Sequence, residues 1–121
     1  MKNIDQQRAT QALKYIKKVP SEEQDDYGSL AKSLPMMLQT NGLAQTLAFL
    51  KSKSPDSIAH QMVVRHLSNW LNSILRNDEE EPGDFLLWIV EEPSATYRRA
   101  CSEAIEFSIW LRRFVEAQGW D

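Results

Sequence analysis

Apolar residues recur along this chain at spacings of three and four, which is the periodicity of amphipathic helices. One such stripe occupies 3–19, and Pro20 is expected to end that helix because it cannot continue the hydrogen-bond ladder. An acidic segment suited to a helix N-terminus opens the next stripe, over 21–40. A third extends from 42 to about 53, and no segment shows the alternation of a β-strand.

The second half of the chain contains three more helical segments. A turn at 54–56, with Ser54 or Asp56 as the N-cap, precedes a helix that extends to about residue 77. A short helix is predicted over 84–91, and the longest over 94–118 with Gly119 as its stop. The pattern predicts an all-α fold, a compact bundle of about five to six helices forming a single domain over the whole chain.

The stretch 34–50 contains the two strongest interruptions of the helical pattern. Pro35 lacks a backbone N–H and its ring crowds the preceding turn, so the helix is expected to kink or restart there. Asn41-Gly42 tolerates the left-handed conformation of a helix C-terminus and predicts the end of one helix and the start of another. A β-hairpin at the same dipeptide would need alternating strands on both sides. We therefore interpret this stretch as a hinge between two helices.

Size and cysteine content indicate a protein that folds without covalent cross-links. A chain of 121 residues buries enough surface to be stable without a disulfide or a metal. Its one cysteine, Cys101, cannot form an internal disulfide, which predicts a reducing compartment. The N-terminus has no apolar signal core, and the longest apolar run, 85–90, is too short to span a bilayer. A soluble cytoplasmic protein with no membrane partner is expected.

Basic residues form two local groups despite a net charge of −3. Lys14, Lys17 and Lys18 lie on the polar side of the first helix, where they complement the helix dipole or contact phosphates. Arg65 and Arg76 belong to a polar line on the fourth helix that also includes Asn69 and Asn72 and has no carboxylate. That line is either an ordinary exposed face or a row of donors for a polyphosphate backbone.

Catalytic and metal-binding patterns are missing from the sequence. His60 and His66 are six residues apart and lie on different sides of one helix, with His60 expected on the apolar face. Cys101 lies on the buried stripe of the last helix, where a thiol acts as a small apolar group. The acidic segment 78–84 is interpreted as a solvated connection. No phosphate loop, dinucleotide motif or nucleophile motif occurs, so we expect no enzyme activity, no cofactor and no metal site.

Two motifs together resemble one known family. The first motif runs from Leu34-Pro35 through Asn41-Gly42-Leu43 to Thr46-Leu47-Ala48-Phe49 and Lys53. The second contains Tyr97-Arg98-x-Ala100, Glu103-Ala104 and Trp110-Leu111-Arg112-Arg113-Phe114. Their order and spacing, with the chain length, resemble the small helical subunit of the Cmr (type III-B) CRISPR effector complex. The resemblance covers nearly the whole chain.

The resemblance implies a non-catalytic subunit of an RNA-targeting complex in antiviral defence. Copies would stack head to tail, contact other Cmr subunits, and stabilise target RNA binding through the backbone of the guide RNA–target RNA duplex. Arg98, Arg112 and Arg113 match motif positions, and Arg112 also borders Ile105 and Ile109, where it could serve subunit contact instead. The full set of candidate RNA-binding residues is Lys14, Lys17, Lys18, Arg65, Arg76, Arg98, Arg112 and Arg113. The alternative is a protein–protein adaptor of another assembly without nucleic-acid contact.

Overall fold

The computed structural model describes residues 2–76 and 84–120, and the regular structure within these ranges is helical, with no strand. Five α-helices follow one another, with 3₁₀ turns at Ser21–Glu23 and Ser54–Asp56. The helices are α1 (Ile4–Lys17), α2 (Gln24–Lys53), α3 (Ile58–Leu75), α4 (Phe85–Ile89) and α5 (Ser94–Gln118). The prediction of an all-α fold of five to six helices is confirmed.

The first helix begins at a reciprocal cap. The Asn3 side chain accepts a hydrogen bond from the Gln6 backbone N–H at 2.8 Å, and the Gln6 side chain accepts one from the Asn3 N–H at 2.9 Å. This capping box satisfies two N–H groups that have no partner inside the helix. At the other end α1 stops at Lys17, and Pro20 precedes the first 3₁₀ turn. The predicted end near Pro20 is confirmed.

The long helix α2 is broken at Gly42 and not at Pro35. Gly42 has φ 79° and ψ 171°, while the backbone angles elsewhere in α2 stay helical, so α2 consists of a first arm (24–41) and a second arm (43–53). The expected restart at Pro35 is wrong, because Pro35 is buried and its packing offsets the missing hydrogen bond. The conformation at Gly42 is also not the left-handed helical one expected, but a region open almost solely to glycine.

A single residue, Ser57, separates the third helix from the 3₁₀ turn that precedes it. Ser57 is the N-cap, with extended backbone angles and a side-chain oxygen that accepts from the His60 N–H at 3.2 Å. The prediction of Ser54 or Asp56 as the cap is wrong, because both residues are held inside the 3₁₀ turn. The side of this helix that faces the core includes Val63, Leu67 and Leu71, which are completely buried.

The last two helices follow the predicted boundaries closely. Asp84 caps α4 through hydrogen bonds to the Leu86 and Leu87 N–H groups, and also contacts Lys51 of α2. Helix α5 ends at Gly119, whose φ 76° and ψ 21° are left-handed as predicted. Residues 78–83 of the predicted acidic connection lie outside the described residues.

Helix α5 lies at the centre of the packing. It contacts α1, α3 and both arms of α2, while α3 also packs on α2. The core contains Tyr27, Leu34 and Leu47 from α2 and Phe107 and Leu111 from α5, all completely buried. Of the helices described, none is long and apolar enough to cross a membrane.

Candidate interaction surfaces

The predicted basic residues are mostly exposed but do not form a single site. All of them are exposed except Arg76, which is half-buried. Arg98 and Arg112 lie on the same helix but about 21 Å apart, from the 1.5 Å rise per residue of an α-helix. The structure therefore distributes these residues over several surfaces, which have to be considered one at a time.

One basic surface joins the end of α1 to α3. The Tyr15 ring of α1 stacks on the His66 ring of α3, and Lys18 and Arg65 both lie close enough to His66 to lower the pKa of its imidazole electrostatically. Lys14 lies one turn before Lys18 on α1, and Lys17 is adjacent. Among the described residues none of these four cations has a carboxylate partner within ion-pair distance. We call Lys14, Lys17, Lys18 and Arg65 the α1–α3 basic face.

Beneath this face lies a buried histidine. His66 is 5% exposed, its Nδ1 shares a hydrogen bond of 2.7 Å with the Tyr27 hydroxyl, and its ring stacks on Tyr15 with centroids 4.4 Å apart. Burial lowers the pKa of His66 to about 4, with Arg65 and Lys18 adding to the shift. The prediction that His60 is the core histidine is wrong: His60 is half-buried and its ring bonds the hydroxyl of the capping Ser57.

The polar line on α3 is interrupted because α4 packs over the end of that helix. The Arg76 guanidinium lies 5.0 Å from the centroid of the Trp88 ring of α4 and donates a hydrogen bond to Asn72 Oδ1 at 3.3 Å. Asn72 is buried and Arg76 is half-buried, whereas Arg65 and Asn69 of the line are exposed. A pattern on one helix cannot show which of its turns a later helix covers.

Arg112 and Arg113 line a groove between the first arm of α2 and the C-terminal half of α5. The groove has a volume of about 290 Å³. Both guanidinium groups approach the same carboxylate, Glu116, at 3.5 and 3.4 Å. Two cations therefore share one anion and the surface stays positive. The residues of this α2–α5 groove are Pro35, Met36, Gln39, Ile109, Arg112 and Arg113.

A second concave surface lies where α4 meets the second arm of α2. It encloses about 350 Å³ and is walled by Ala44, Val90 and Tyr97, among others. Leu87 and Val90 project from α4 into solvent at its edge. Glu91 and Glu92 follow directly, and neither has a cationic partner among the described residues. We call Leu87, Val90, Glu91 and Glu92 the α4 surface, which is apolar and acidic.

A buried carboxylate connects three helices and was not predicted. Glu103 of α5 accepts hydrogen bonds from Arg8 Nε at 2.7 Å and Nη2 at 2.9 Å. The Trp70 indole N–H of α3 donates to the same carboxylate at 2.9 Å. The bond to Glu103 raises the pKa of the Arg8 guanidinium. The signal was available, because Glu103 falls on the buried stripe between Ala100 and Phe107.

The two motifs that carry the family resemblance meet at the break in α2. The Tyr97 hydroxyl of the second motif accepts a hydrogen bond from the Ala44 N–H at 3.0 Å, just after Gly42. A β-carbon on Gly42 would lie 3.5 Å from that hydroxyl oxygen. The first turn of the second arm is thus capped by a side chain from α5.

The buried polar chemistry of the described residues consists of hydrogen bonds within the core. No group of three or more His, Cys, Asp or Glu side chains in residues 2–76 and 84–120 could hold a metal ion. Three deeply buried titratable groups, Tyr27, His66 and Glu103, are all engaged in hydrogen bonds within the core. These observations define a small all-helical protein, and its candidate functional groups lie on its outer surfaces.

Comparison with known proteins gives the family. The chain matches the family described as CRISPR-associated protein (Cas_Cmr5) over residues 4–118, and it belongs to that family. A relative from Thermotoga maritima, named CRISPR system Cmr subunit Cmr5, is 29% identical over 118 residues. That match covers 96% of this chain and 84% of the relative. The resemblance drawn from the two motifs is confirmed.

Proposed function

We propose that this chain is a non-catalytic small subunit of a type III-B (Cmr) CRISPR ribonucleoprotein in the cytoplasm. Several copies stack along the guide RNA–target RNA duplex, contact other Cmr subunits and stabilise target RNA binding in antiviral defence. The observation that carries this proposal is the family match over 4–118, together with a relative that is named a Cmr subunit.

The two buried groups that could act as an acid or a base, Glu103 and His66, are both occupied, which supports a structural role. Glu103 has the position of a buried acid, but its carboxylate is occupied by Arg8 and by the Trp70 indole. His66 is bonded to Tyr27 and covered by Tyr15. A general base needs to reach a substrate proton, and neither side chain is open to one.

The α1–α3 basic face is the surface we assign to RNA. It combines four exposed cations that form no ion pair with the carboxylates of residues 2–76 and 84–120. It also joins two helices, through the stacking of Tyr15 on His66, along which a phosphate backbone could run. Contacts of this kind position a protein on nucleic acid without reading sequence. Arg98 is exposed at the start of α5 and is a secondary candidate, while Arg76 is half-covered by Trp88.

Charge reversal in the assembled complex tests the RNA assignment. Lys17→Glu with Lys18→Glu, and separately Arg65→Glu, are introduced into every copy, and target RNA affinity is measured at two salt concentrations. Both variants are expected to weaken binding and flatten its salt dependence, because each lost phosphate contact lowers the number of counterions that are released on binding. Arg99→Glu, an exposed arginine of α5, is the matched control and is expected to change neither quantity.

An adaptor without RNA contact is the second candidate, and the α4 surface favours it because it exposes apolar groups of the kind that bind protein partners. If both reversals leave affinity and salt slope unchanged while the complex assembles normally, the RNA assignment is wrong and the adaptor takes its place.

A further inference from the structure

Two surfaces of this chain are complementary in charge and both expose apolar side chains. The α2–α5 groove exposes Met36, with 64% of its surface accessible, beside the guanidinium groups of Arg112 and Arg113. The α4 surface exposes Leu87 and Val90, at 68% and 54%. An exposed apolar patch rimmed by charged groups is typical of a protein interface.

The charges of the two surfaces are opposite, and the described residues neutralise them only in part. In the groove two arginines share the single carboxylate of Glu116 at the long distances of 3.5 and 3.4 Å. On the α4 surface Glu91 and Glu92 have no cationic partner among the described residues. The positive groove and the acidic α4 surface therefore attract each other, whereas two grooves or two α4 surfaces facing each other would repel.

The two surfaces also lie at different places along the molecule. Ser94 borders the α4 side and Ile109 lines the groove, and on α5 these residues are separated by about 22 Å along the helix axis. A contact between two different patches of identical chains is heterologous, and it repeats from copy to copy instead of closing as a two-fold dimer.

We infer that the α2–α5 groove of one copy receives the α4 surface of the next copy, with Arg112 and Arg113 facing Glu91 and Glu92. This inference rests on the proposed stacking of copies and specifies the surfaces that make it. It assigns Arg112 and Arg113 to subunit contact instead of RNA. Each surface contributes few apolar side chains, so the contact belongs to the weak class that buries less than about 1,200 Å². Copies are held together mainly when the RNA aligns them.

Paired charge reversals test the direction of this contact. Arg112→Glu with Arg113→Glu, and separately Glu91→Lys with Glu92→Lys, are each expected to weaken self-association of the full chain at least about tenfold, because like charges then face each other. The measurement is sedimentation velocity at low salt. An equimolar mixture of the two variants is expected to recover association, because every junction in the mixture can again join opposite charges.

A matched control and a trapping experiment complete the test. Lys17→Glu with Lys18→Glu changes the charge by the same amount on the α1–α3 basic face and is expected to leave self-association unchanged. In a Cys101→Ser background, oxidation of a chain with Met36→Cys and Val90→Cys is expected to give a ladder of dimers, trimers and longer species. Each single cysteine variant alone gives no ladder, because the two positions meet only between different copies.

The outcomes separate this inference from the function on which it rests. If copies associate, but the reversals have no effect and the double cysteine chain gives no ladder, the surfaces are wrongly assigned and stacking itself stands. If the wild-type chain neither associates nor cross-links, alone or in the assembled complex, the stacking of copies is overturned as well.

Discussion

Gly42 takes a backbone conformation that other residues avoid. Its φ of 79° and ψ of 171° lie outside the left-handed helical region, whereas Gly119 at φ 76° and ψ 21° lies within it. Asparagine tolerates the left-handed helical region but not the region of Gly42. The same substitution at the two positions therefore has different costs, although both glycines have positive φ.

We expect Gly42→Asn to destabilise the fold by about 1–3 kcal/mol, the usual cost of such strain. Gly119→Asn, the matched control, is expected to cost only a few tenths of a kcal/mol because asparagine is accepted at helix C-termini. Urea denaturation of both variants measures the difference. Equal effects at the two positions would mean that the break at Gly42 is not strained for other residues.

His66 makes stability depend on pH in a predictable direction. Burial among Tyr15 and Tyr27, with Arg65 and Lys18 nearby, lowers its pKa from 6.5 to about 4 in the folded state. Between these values the unfolded chain binds a proton that the folded chain does not. The stabilising contribution is therefore complete above pH 6.5, declines as the pH falls, and is lost below about 4, a change of up to about 3 kcal/mol.

The His66→Gln variant is expected to remove this part of the pH dependence. Its free energy of unfolding should fall less than that of the wild type between pH 6.5 and 4.5, whatever its absolute value. Asp84, whose pKa is lowered by its contact with Lys51, contributes only at more acidic pH. Parallel slopes for the two proteins over that interval would show that His66 is already accessible to protons in the fold.

Among single residues, the sequence could identify those that adopt an unusual backbone conformation, but not those whose contact partners are distant in sequence. Gly42 and Gly119 were predicted as breaks because few residues adopt positive φ. The burial of His66 was not predicted, and although Glu103 falls on a buried stripe, its partners Arg8 and Trp70 are too remote in sequence to be identified. A helical pattern ranks a charged residue as exposed unless its partner is known.

At the level of helices, the Arg8–Glu103–Trp70 group ties α1 and α3 to α5. The Arg8 and Glu103 side chains are only 15% and 9% exposed. Removal of Arg8 leaves a buried carboxylate with only the Trp70 indole as its partner, and removal of Glu103 leaves Arg8 with only the exposed Asp5 at 3.3 Å. We expect Glu103→Leu to destabilise by about 3 kcal/mol. The double variant Arg8→Met with Glu103→Leu is expected to be more stable than Glu103→Leu alone.

A double-mutant cycle by thermal or urea unfolding measures this coupling. Trp70→Phe serves as the control for the indole hydrogen bond. It is expected to lower the free energy of unfolding by about 1–3 kcal/mol, because the Glu103 carboxylate loses the indole bond but keeps both bonds to Arg8. Strictly additive losses for Arg8 and Glu103 would mean that the pair does not act as a unit.

Helix boundaries were predictable where proline or glycine marks them. The end of α1 before Pro20 and the end of α5 at Gly119 follow from a missing donor and from a left-handed residue. Pro35 misled for a physical reason. The hydrogen bond that Pro35 cannot make favours a break in the helix. Burial of Pro35 where α2 packs on α5 instead stabilises a continuous helix.

For the whole molecule, the balance of charge predicts weak RNA binding by one copy. The net charge is −3, and the cations of the α1–α3 basic face are too few to hold a duplex at physiological salt. We expect the isolated chain to bind labelled RNA duplex weakly, with an affinity that rises steeply as salt is lowered, and the assembled complex to bind far more tightly through many copies. Fluorescence anisotropy at two salt concentrations provides the measurement. Nanomolar binding by the isolated chain at 0.15 M salt would contradict this view.

The interaction surfaces could not be read from the sequence because each is made by remote segments. The α2–α5 groove brings Met36 beside Ile109, and the α1–α3 basic face forms where Tyr15 of α1 stacks on His66 of α3. Periodicity indicates which side of a helix is polar, but the tertiary arrangement decides which polar sides are neighbours. The family resemblance supplied the function class that the residue pattern left open.

The pairing of α1 with α5 has a consequence for synthesis of the chain. Arg8 and its partner Glu103 are 95 residues apart, so at a translation rate of about 5–20 residues per second the partner is made roughly 5–20 s later. During that interval the apolar side of α1, with Ala12 and Ile16, has no α5 against which to pack. The nascent chain thus passes several seconds with its first helix uncovered, and it closes only when one of its last helices is made.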